Sequence, residues 1–203
     1  MPLLAMTSGC ANDSNDFVEL QALLQPGKAQ PDPRIQPLLD ADAPRLQVGF
    51  LDSGLAGVML LENSRDGVRT WLSVDGATLL TRQGMIVGER GFGAGLMASD
   101  IAQSMDAVLG GYRAETVRFH SFLTGNDRTE MRSYKCVVEN RGDKIVTIRG
   151  TPTSTRMMRE TCNSTDQNFV NVYWISNASG QIVQSRQWLG DFAGVVTTRQ
   201  VSE

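Results

Sequence analysis

Three cysteines, one histidine and one aromatic-rich hairpin are the places where this 203-residue chain could do chemistry. Cys10 follows PLLAMTSG, a short apolar run, then small polar residues, then glycine. That order matches the end of a bacterial lipoprotein leader, in which the cysteine is acylated and becomes the mature N-terminus. The copy lacks a basic segment before its apolar run, and Thr7 stands where such leaders carry leucine. A translation start further upstream is therefore expected. The competing reading of Cys10 is an ordinary buried or loop cysteine. If Cys10 carries lipid, the protein is exported, and Cys136 and Cys162 meet in an oxidising compartment, where they are expected to form a disulfide. Two reduced core thiols are the alternative. No CxxC spacing points to redox catalysis.

His120 is the only histidine and lies beside Ser121. Without a GxSxG elbow, that neighbourhood does not make a triad, and a lone histidine cannot build the usual multi-histidine metal site. A strand histidine satisfied by hydrogen bonds is expected. The loop GERGFGAGL, Gly88–Leu96, has GxGxG rather than GxGxxG spacing and no Walker lysine. It reads as backbone needing positive φ or close approach, not as a phosphate cradle. The 22 acidic residues could include a glycosidase pair, but nothing in the sequence selects two of them. No metal and no cofactor is expected.

The stretch QNFVNVYWISNASGQIVQSRQWLGD, residues 167–191, holds two of the three tryptophans. Paired through the loop NASG, its strands would set Phe169 opposite Trp188, Asn171 opposite Arg186, Tyr173 opposite Gln184 and Ile175 opposite Ile182. One face would then carry Phe169, Asn171, Tyr173, Gln184, Arg186 and Trp188, a candidate ligand or partner face. Aromatic planes suit the apolar faces of sugars, and Asn, Gln and Arg suit their hydroxyls. The competing reading is a core aromatic cluster whose polar members satisfy backbone or each other. A slip of one residue would turn every side chain to the other face.

The elements that must position these residues follow from composition and periodicity. A formal net charge of −3, with 41% hydrophobic residues, suits a folded domain, and the lack of a basic stripe argues against a nucleic-acid partner. Residues 1–10 read as a leader remnant. Residues 11–44 read as a tether, a short helix over Asp16–Gln25 and a proline-rich arm. Residues 45–203 read as one all-β domain. Within it, RLQVGFL, GVMLLEN, VRTWLSV, ATLLTR and MIVGE are short strands punctuated by turn residues. A helix over ASDIAQSMDAVL, capped by Ser99, would present Ile101, Met105, Val108 and Leu109 on one face. YRAETVRFHSFL, TEMRSYKCVVE, KIVTIRG, TSTRMMRETC, FVNVYWIS, QIVQSRQWL and GVVTTRQV return to strand, with NRGD, GTPT and NASG as hairpin signals. Spacing this close leaves no room for crossover helices. The expected architecture is mainly β, a large antiparallel meander curled into a half-barrel or barrel-like sandwich, with one or two short helices. If KIVTIRG is a strand of its own, Cys136 and Cys162 sit on second-neighbour strands, about 9–10 Å apart and too far for a bond unless the sheet folds over.

RETC followed by FVNVYWIS, a glycine turn and IVQSRQWLG resembles the YjbF/GfcB family of bacterial outer-membrane lipoproteins. RQGMIVGERGFGAGLMA resembles the same family, and the likeness runs from Leu46 to the C-terminus, together with Cys10. It departs at Gly95, where the family often carries an acidic residue. The resemblance implies a lipid-anchored accessory protein of exopolysaccharide or group 4 capsule production, facing the periplasm at the outer membrane. It implies an outer-membrane β-barrel export protein and polysaccharide as partners, and it brings no established catalytic activity. A carbohydrate-active enzyme and a half-barrel carrier of lipid or lipid-linked sugar are the alternative functions. The enzyme needs paired carboxylates in a cleft, and the carrier needs an apolar groove beneath the Gly-rich segment and the helix.

Overall fold

The computed structural model describes residues 31–93, 95–126 and 128–201. Cys10 and the expected helix Asp16–Gln25 lie outside the described residues. The described chain opens with α1 (Ile35–Asp40) and runs through β1 (Arg45–Phe50), β2 (Ala56–Arg65), β3 (Val68–Leu72), β4 (Thr78–Arg82), β5 (Met85–Arg90) and β6 (Leu96–Asp100). After α2 (Ala102–Gly110) come β7 (Ala114–Leu123), β8 (Thr129–Ile148), β9 (Thr151–Asn163), β10 (Asn168–Ser176), β11 (Ile182–Gly190) and β12 (Gly194–Gln200). All twelve strands form one antiparallel sheet in the order β5-β4-β3-β2-β1-β12-β11-β10-β9-β8-β7-β6, nearly closed into a barrel.

Antiparallel order sorts the connections to two ends. The turns after β2, β4, β8 and β10, together with α2, lie at one end. The loops after β1, β3, β5, β7, β9 and β11 lie at the other. The Asp32 amide donates to the Val74 carbonyl in the β3–β4 loop (2.8 Å), so the described chain starts at the second end. We call the first the turn end and the second the tether end. The proline-rich arm is not a bare surface strap: α1 sets Ile35 and Leu38 against Leu60 and Leu72 on the outside of the sheet. Pro37 is tolerated there because it falls in the first turn of the helix, where amide hydrogens have no helical partner.

Side-chain alternation fills the interior with two clusters. Leu46, Val48, Met59, Trp71, Leu79, Leu96, Leu189 and Val196 belong to the first. The second brings Val108 of α2 against Val138, Met158, Tyr173 and Ile175. The expected helix face is thus the packed one, although its start differs. Residues 98–100 extend β6, Ile101 is the N-cap residue, and Asp100 rather than Ser99 accepts the Ala102 amide. Among the described residues, the space beneath the Gly-rich segment and α2, where a lipid carrier needs its apolar groove, is occupied by Leu96, Phe122 and these α2 contacts.

NRGD is not a hairpin. Asn140 accepts the Gly142 amide through its side chain, and the ladder to β9 shifts between Asn140 and Asp143 and then resumes to Ile148↔Thr151. TEMRSYKCVVE and KIVTIRG are therefore one long bulged strand, turning at Arg149–Gly150, where both φ angles are positive. This removes the topological objection to the disulfide. Cys136 and Cys162 are direct cross-strand partners, 4.0 Å apart at Cα, and they are bonded. Closing a loop of 26 residues stabilises the fold by roughly 3–4 kcal/mol in the chain-entropy view. Replacing both cysteines by alanine should lower the urea midpoint by an amount matching that figure. An unchanged midpoint would show that the ladder alone fixes β8 against β9.

Candidate functional site

The hairpin β10–β11 begins in the expected register, with Ile175 opposite Ile182. Val183 is then passed over, and Trp174↔Gln184, Tyr173↔Ser185 and Val172↔Arg186 follow. One bulged residue therefore reverses the faces of β11. Asn171 does not face Arg186, nor Tyr173 Gln184. Phe169, Asn171 and Tyr173 point inward and are buried, whereas Arg186 is exposed on the outside. Gln184 shares that outer face and accepts two hydrogen bonds from Arg199. The six residues of the candidate face are thus divided between the two sides of the sheet.

Trp188 rejoins the interior at a second irregularity, between Trp188 and Gly190. Its ring stacks on Phe169 at 4.6 Å and 9°, and Phe122, Tyr134 and His120 complete the cluster near the tether end. Offset and edge-to-face contacts of this kind add to the burial of the rings themselves. Asn171 supports Trp188 from behind, because its side-chain oxygen accepts the Trp188 amide.

Deeper inside, β7 and β9 supply charges that the sequence reading did not single out. Arg118 pairs with Glu160 at 2.7 Å, with both side chains almost wholly buried. The same carboxylate oxygen accepts Asn171 (2.8 Å) and the Tyr173 hydroxyl (2.9 Å). Burial pushes the Glu160 carboxyl up, but the Arg118 charge and the surrounding donors outweigh it and hold it below the usual carboxylate range. Burial and the Glu160 charge raise the Tyr173 hydroxyl well above its ordinary value. Glu160 is thus an ionised structural anchor closed off from solvent, unsuited to donating a proton to a substrate. One of its oxygens and the two cysteine sulfurs lie within 4.8 Å of one another. The disulfide takes both sulfurs out of ligation, so the cluster does not hold a metal.

His120 departs from expectation. Neither ring nitrogen meets a hydrogen-bond partner among the described residues. The imidazole packs as an aromatic ring beside the stacked Trp188–Phe169 pair, within about 20° of parallel to both, and tilted on Tyr134. Burial, helped by the Arg118 charge, pulls its pKa down to about 3, so it is neutral near pH 7.

The Gly-rich loop is braced from within. Buried Glu89 accepts the amides of Phe92 (2.9 Å) and Gly95 (2.6 Å). Gly95 has positive φ, and a Cβ there would meet the Leu123 carbonyl at 2.6 Å. The carbonyl's approach therefore excludes an acidic side chain at this position.

At the turn end a pocket of about 200 Å³ opens between the β2–β3, β4–β5 and β10–β11 turns. Its buried floor is Leu46, Trp71, Thr81, Ile182 and Thr198, and its exposed rim includes Ser64, Arg69, Gln83 and Gln181. The indole nitrogen of Trp71 is committed to Thr81 (2.9 Å) and the Gln200 amide to the Ile182 carbonyl (3.1 Å), which fixes the walls. Among the described residues, no ion pair holds Arg69. None of the six candidate ligand-face residues is among these; of the hairpin side expected from the sequence, only Ile182 lines the pocket. Only the alternation in VRTWL, with Arg69 and Trp71 on one side, carried a signal.

A family model described as "Group 4 capsule polysaccharide lipoprotein gfcB, YjbF" matches residues 27–201. Among solved structures the chain is similar to the hypothetical lipoprotein YmcC from Escherichia coli K12. The TM-score is 0.69 at 19% identity, over 83% of this chain and 88% of that one, a likeness of fold alone. No curated protein matches.

The titration of His120 has a readable consequence. Its folded pKa lies near 3, below the unfolded value of about 6.5, so in that window the unfolded chain binds the extra proton. Stability is full above the unfolded pKa and falls as pH drops through the window, by at most about 1.4 kcal/mol per pH unit. Glu160 adds loss of the same sign at lower pH. The melting temperature should therefore fall between pH 7 and pH 5, and fall less in His120→Phe. Equal falls in both proteins would count against a neutral, unpartnered imidazole.

Proposed function

The chain belongs to the group 4 capsule polysaccharide lipoprotein family, and from that premise we propose that it is a lipid-anchored accessory protein that holds glycan during exopolysaccharide or capsule secretion. Cys10 carries the lipid in this reading. The protein sits at the outer membrane, faces the periplasm, and hands polysaccharide to an outer-membrane β-barrel export protein without catalysing its chemistry.

The observation that carries the glycan reading is the pocket at the turn end. Its size suits one sugar ring, and it pairs an aromatic and aliphatic floor with a rim of hydrogen-bonding groups. Apolar surface covers the C–H face of a sugar, while Gln83, Gln181 and Ser64 address its hydroxyls. Arg69, which no ion pair holds among the described residues, adds a forked donor for a carboxylate-bearing sugar. The surrounding turns are set by backbone geometry: a Cβ at Gly84 would meet Ile182 at 2.8 Å. The rim is therefore preorganised before any ligand arrives, which lowers the ordering cost of binding.

Oligosaccharides released from the producing strain's own exopolysaccharide are the direct probe. Titrated into labelled protein, they should shift the Trp71 indole resonance, and Arg69→Ala should weaken binding about tenfold, or roughly 1.4 kcal/mol, without lowering the melting temperature. No binding by the unaltered protein, or binding indifferent to Arg69→Ala, would contradict the reading.

A further inference from the structure

Exposed apolar side chains are unevenly distributed on this molecule. Six of the ten large hydrophobic residues most exposed among the described residues lie at the tether end: Leu55, Val74, Met97, Leu123, Met131 and Phe192. Phe192, Met131 and Leu55 are 79%, 72% and 68% exposed, fractions normally held by polar loop residues. They come from separate loops and strand ends that the meander brings to one rim. Met97, Leu123 and Met131 mark the adjacent ends of β6, β7 and β8. Phe192 is seated rather than dangling, because its ring lies where a Cβ on Gly93 would meet it at 2.7 Å. The Gly-rich loop and the β11–β12 loop thus support one another in presenting an apolar tip.

We propose that this rim rests on a zwitterionic lipid surface, with Leu55, Phe192 and Met131 entering the headgroup boundary. The occupant follows from the chain's own path. Asp32 is tied to Val74 within this rim, so the described chain begins here, on the side from which Cys10 must be reached. Twenty-one residues separate Cys10 from the rim, a reach of at most about 80 Å when fully extended. A lipid on Cys10 and an apolar rim at the point where its tether emerges act on the same surface. The second contact fixes the body's orientation on a bilayer to which the lipid already holds it, because the lipid raises the effective concentration of rim and bilayer. Charge selects the kind of lipid. Asp32, Asp52, Asp75, Glu130, Asp166 and Asp191 lie at this end, against Arg34, Arg90, Arg128 and Arg132, so acidic groups outnumber basic ones among the described residues. The rim therefore has no coulombic attraction to anionic headgroups, and insertion of apolar side chains carries the contact. The turn end, with its pocket, then points away from the membrane into the aqueous space. The inference rests on lipidation at Cys10 and is independent of whether glycan binds.

The test uses the lipidated full chain in phosphatidylethanolamine–phosphatidylcholine vesicles. Single cysteines are introduced at the tether end (Ser53→Cys) and at the turn end (Ala178→Cys) and labelled with a fluorophore, the native pair being a disulfide. Lipids bearing spin labels near the headgroup should quench the probe at position 53 several-fold more than the probe at 178. The double variant Leu55→Ser/Phe192→Ser should abolish that difference while mass spectrometry still finds the acyl chains on Cys10. Equal quenching at both positions in lipidated protein overturns the inference. Shielding of position 53 only in native membranes, with no quenching in pure vesicles, also overturns it and assigns the rim to a protein partner. An unmodified Cys10 would instead refute the anchor itself, an outcome distinct from both.

Discussion

Everything in this fold turns on how a twelve-stranded sheet closes without leaving a hole. A round barrel of that size would enclose more space than its side chains could fill. The chain avoids this by folding the β5 edge across the interior onto β11, where one side chain acts as the missing strand. The Gln187 carboxamide oxygen accepts the Ile86 amide (2.9 Å), and its nitrogen donates to the Gly84 carbonyl (3.0 Å) and to the Ser185 hydroxyl (2.8 Å). A glutamine amide has the donor and acceptor arrangement of a peptide, so it satisfies an edge that the ladder leaves open. Gly84 permits the approach, since its hydrogen is all that fits against Ile182.

From that fold-over come the two interior lobes and the different ends. The lobe between β5 and the outer strands keeps a small polar-rimmed pocket at the turn end. The other is plugged by α2 and braced by Arg118 and Glu160. An ion pair this deep is no cheap source of stability, because desolvation offsets much of its attraction. Its value lies in specificity: Arg118, Asn171 and Tyr173 converge on one Glu160 oxygen only in one register of β7, β9 and β10. Removing either charge would strand the other in the core. Beside them the disulfide fixes β8 to β9 covalently, and the aromatic cluster seals the tether side.

Much of the fold was legible because alternation and turn chemistry agree along most of the chain. RLQVGFL, VRTWLSV, FVNVYWIS and GVVTTRQV are strands for the reasons their patterns give, and the face of α2 is the one its spacing marks. Errors arose wherever one extra residue broke the period. NRGD carries the composition of a turn, yet it is a bulge, since the strands on both sides find their partners on β9. Passing over Val183 moved Gln184 and Arg186 outside while Tyr173 stayed in, and no local signal distinguishes such a bulge from a clean hairpin. Arg118 and Glu160 share inward parity with His120 and Cys162, so their burial was readable. Their pairing, across 42 positions, was not, because only the closed sheet brings them together. The pocket was hidden for the same reason.

The fold-over is tested most directly by residue-resolved hydrogen exchange at the Ile86 amide, in the native protein and in Gln187→Leu. With the amide held by Gln187, the account predicts strong protection in the native protein. In the variant that protection should fall by an order of magnitude or more, while amides in the β8–β9 ladder keep theirs. Protection at Ile86 that is already weak in the native protein, or that survives the substitution, would contradict it.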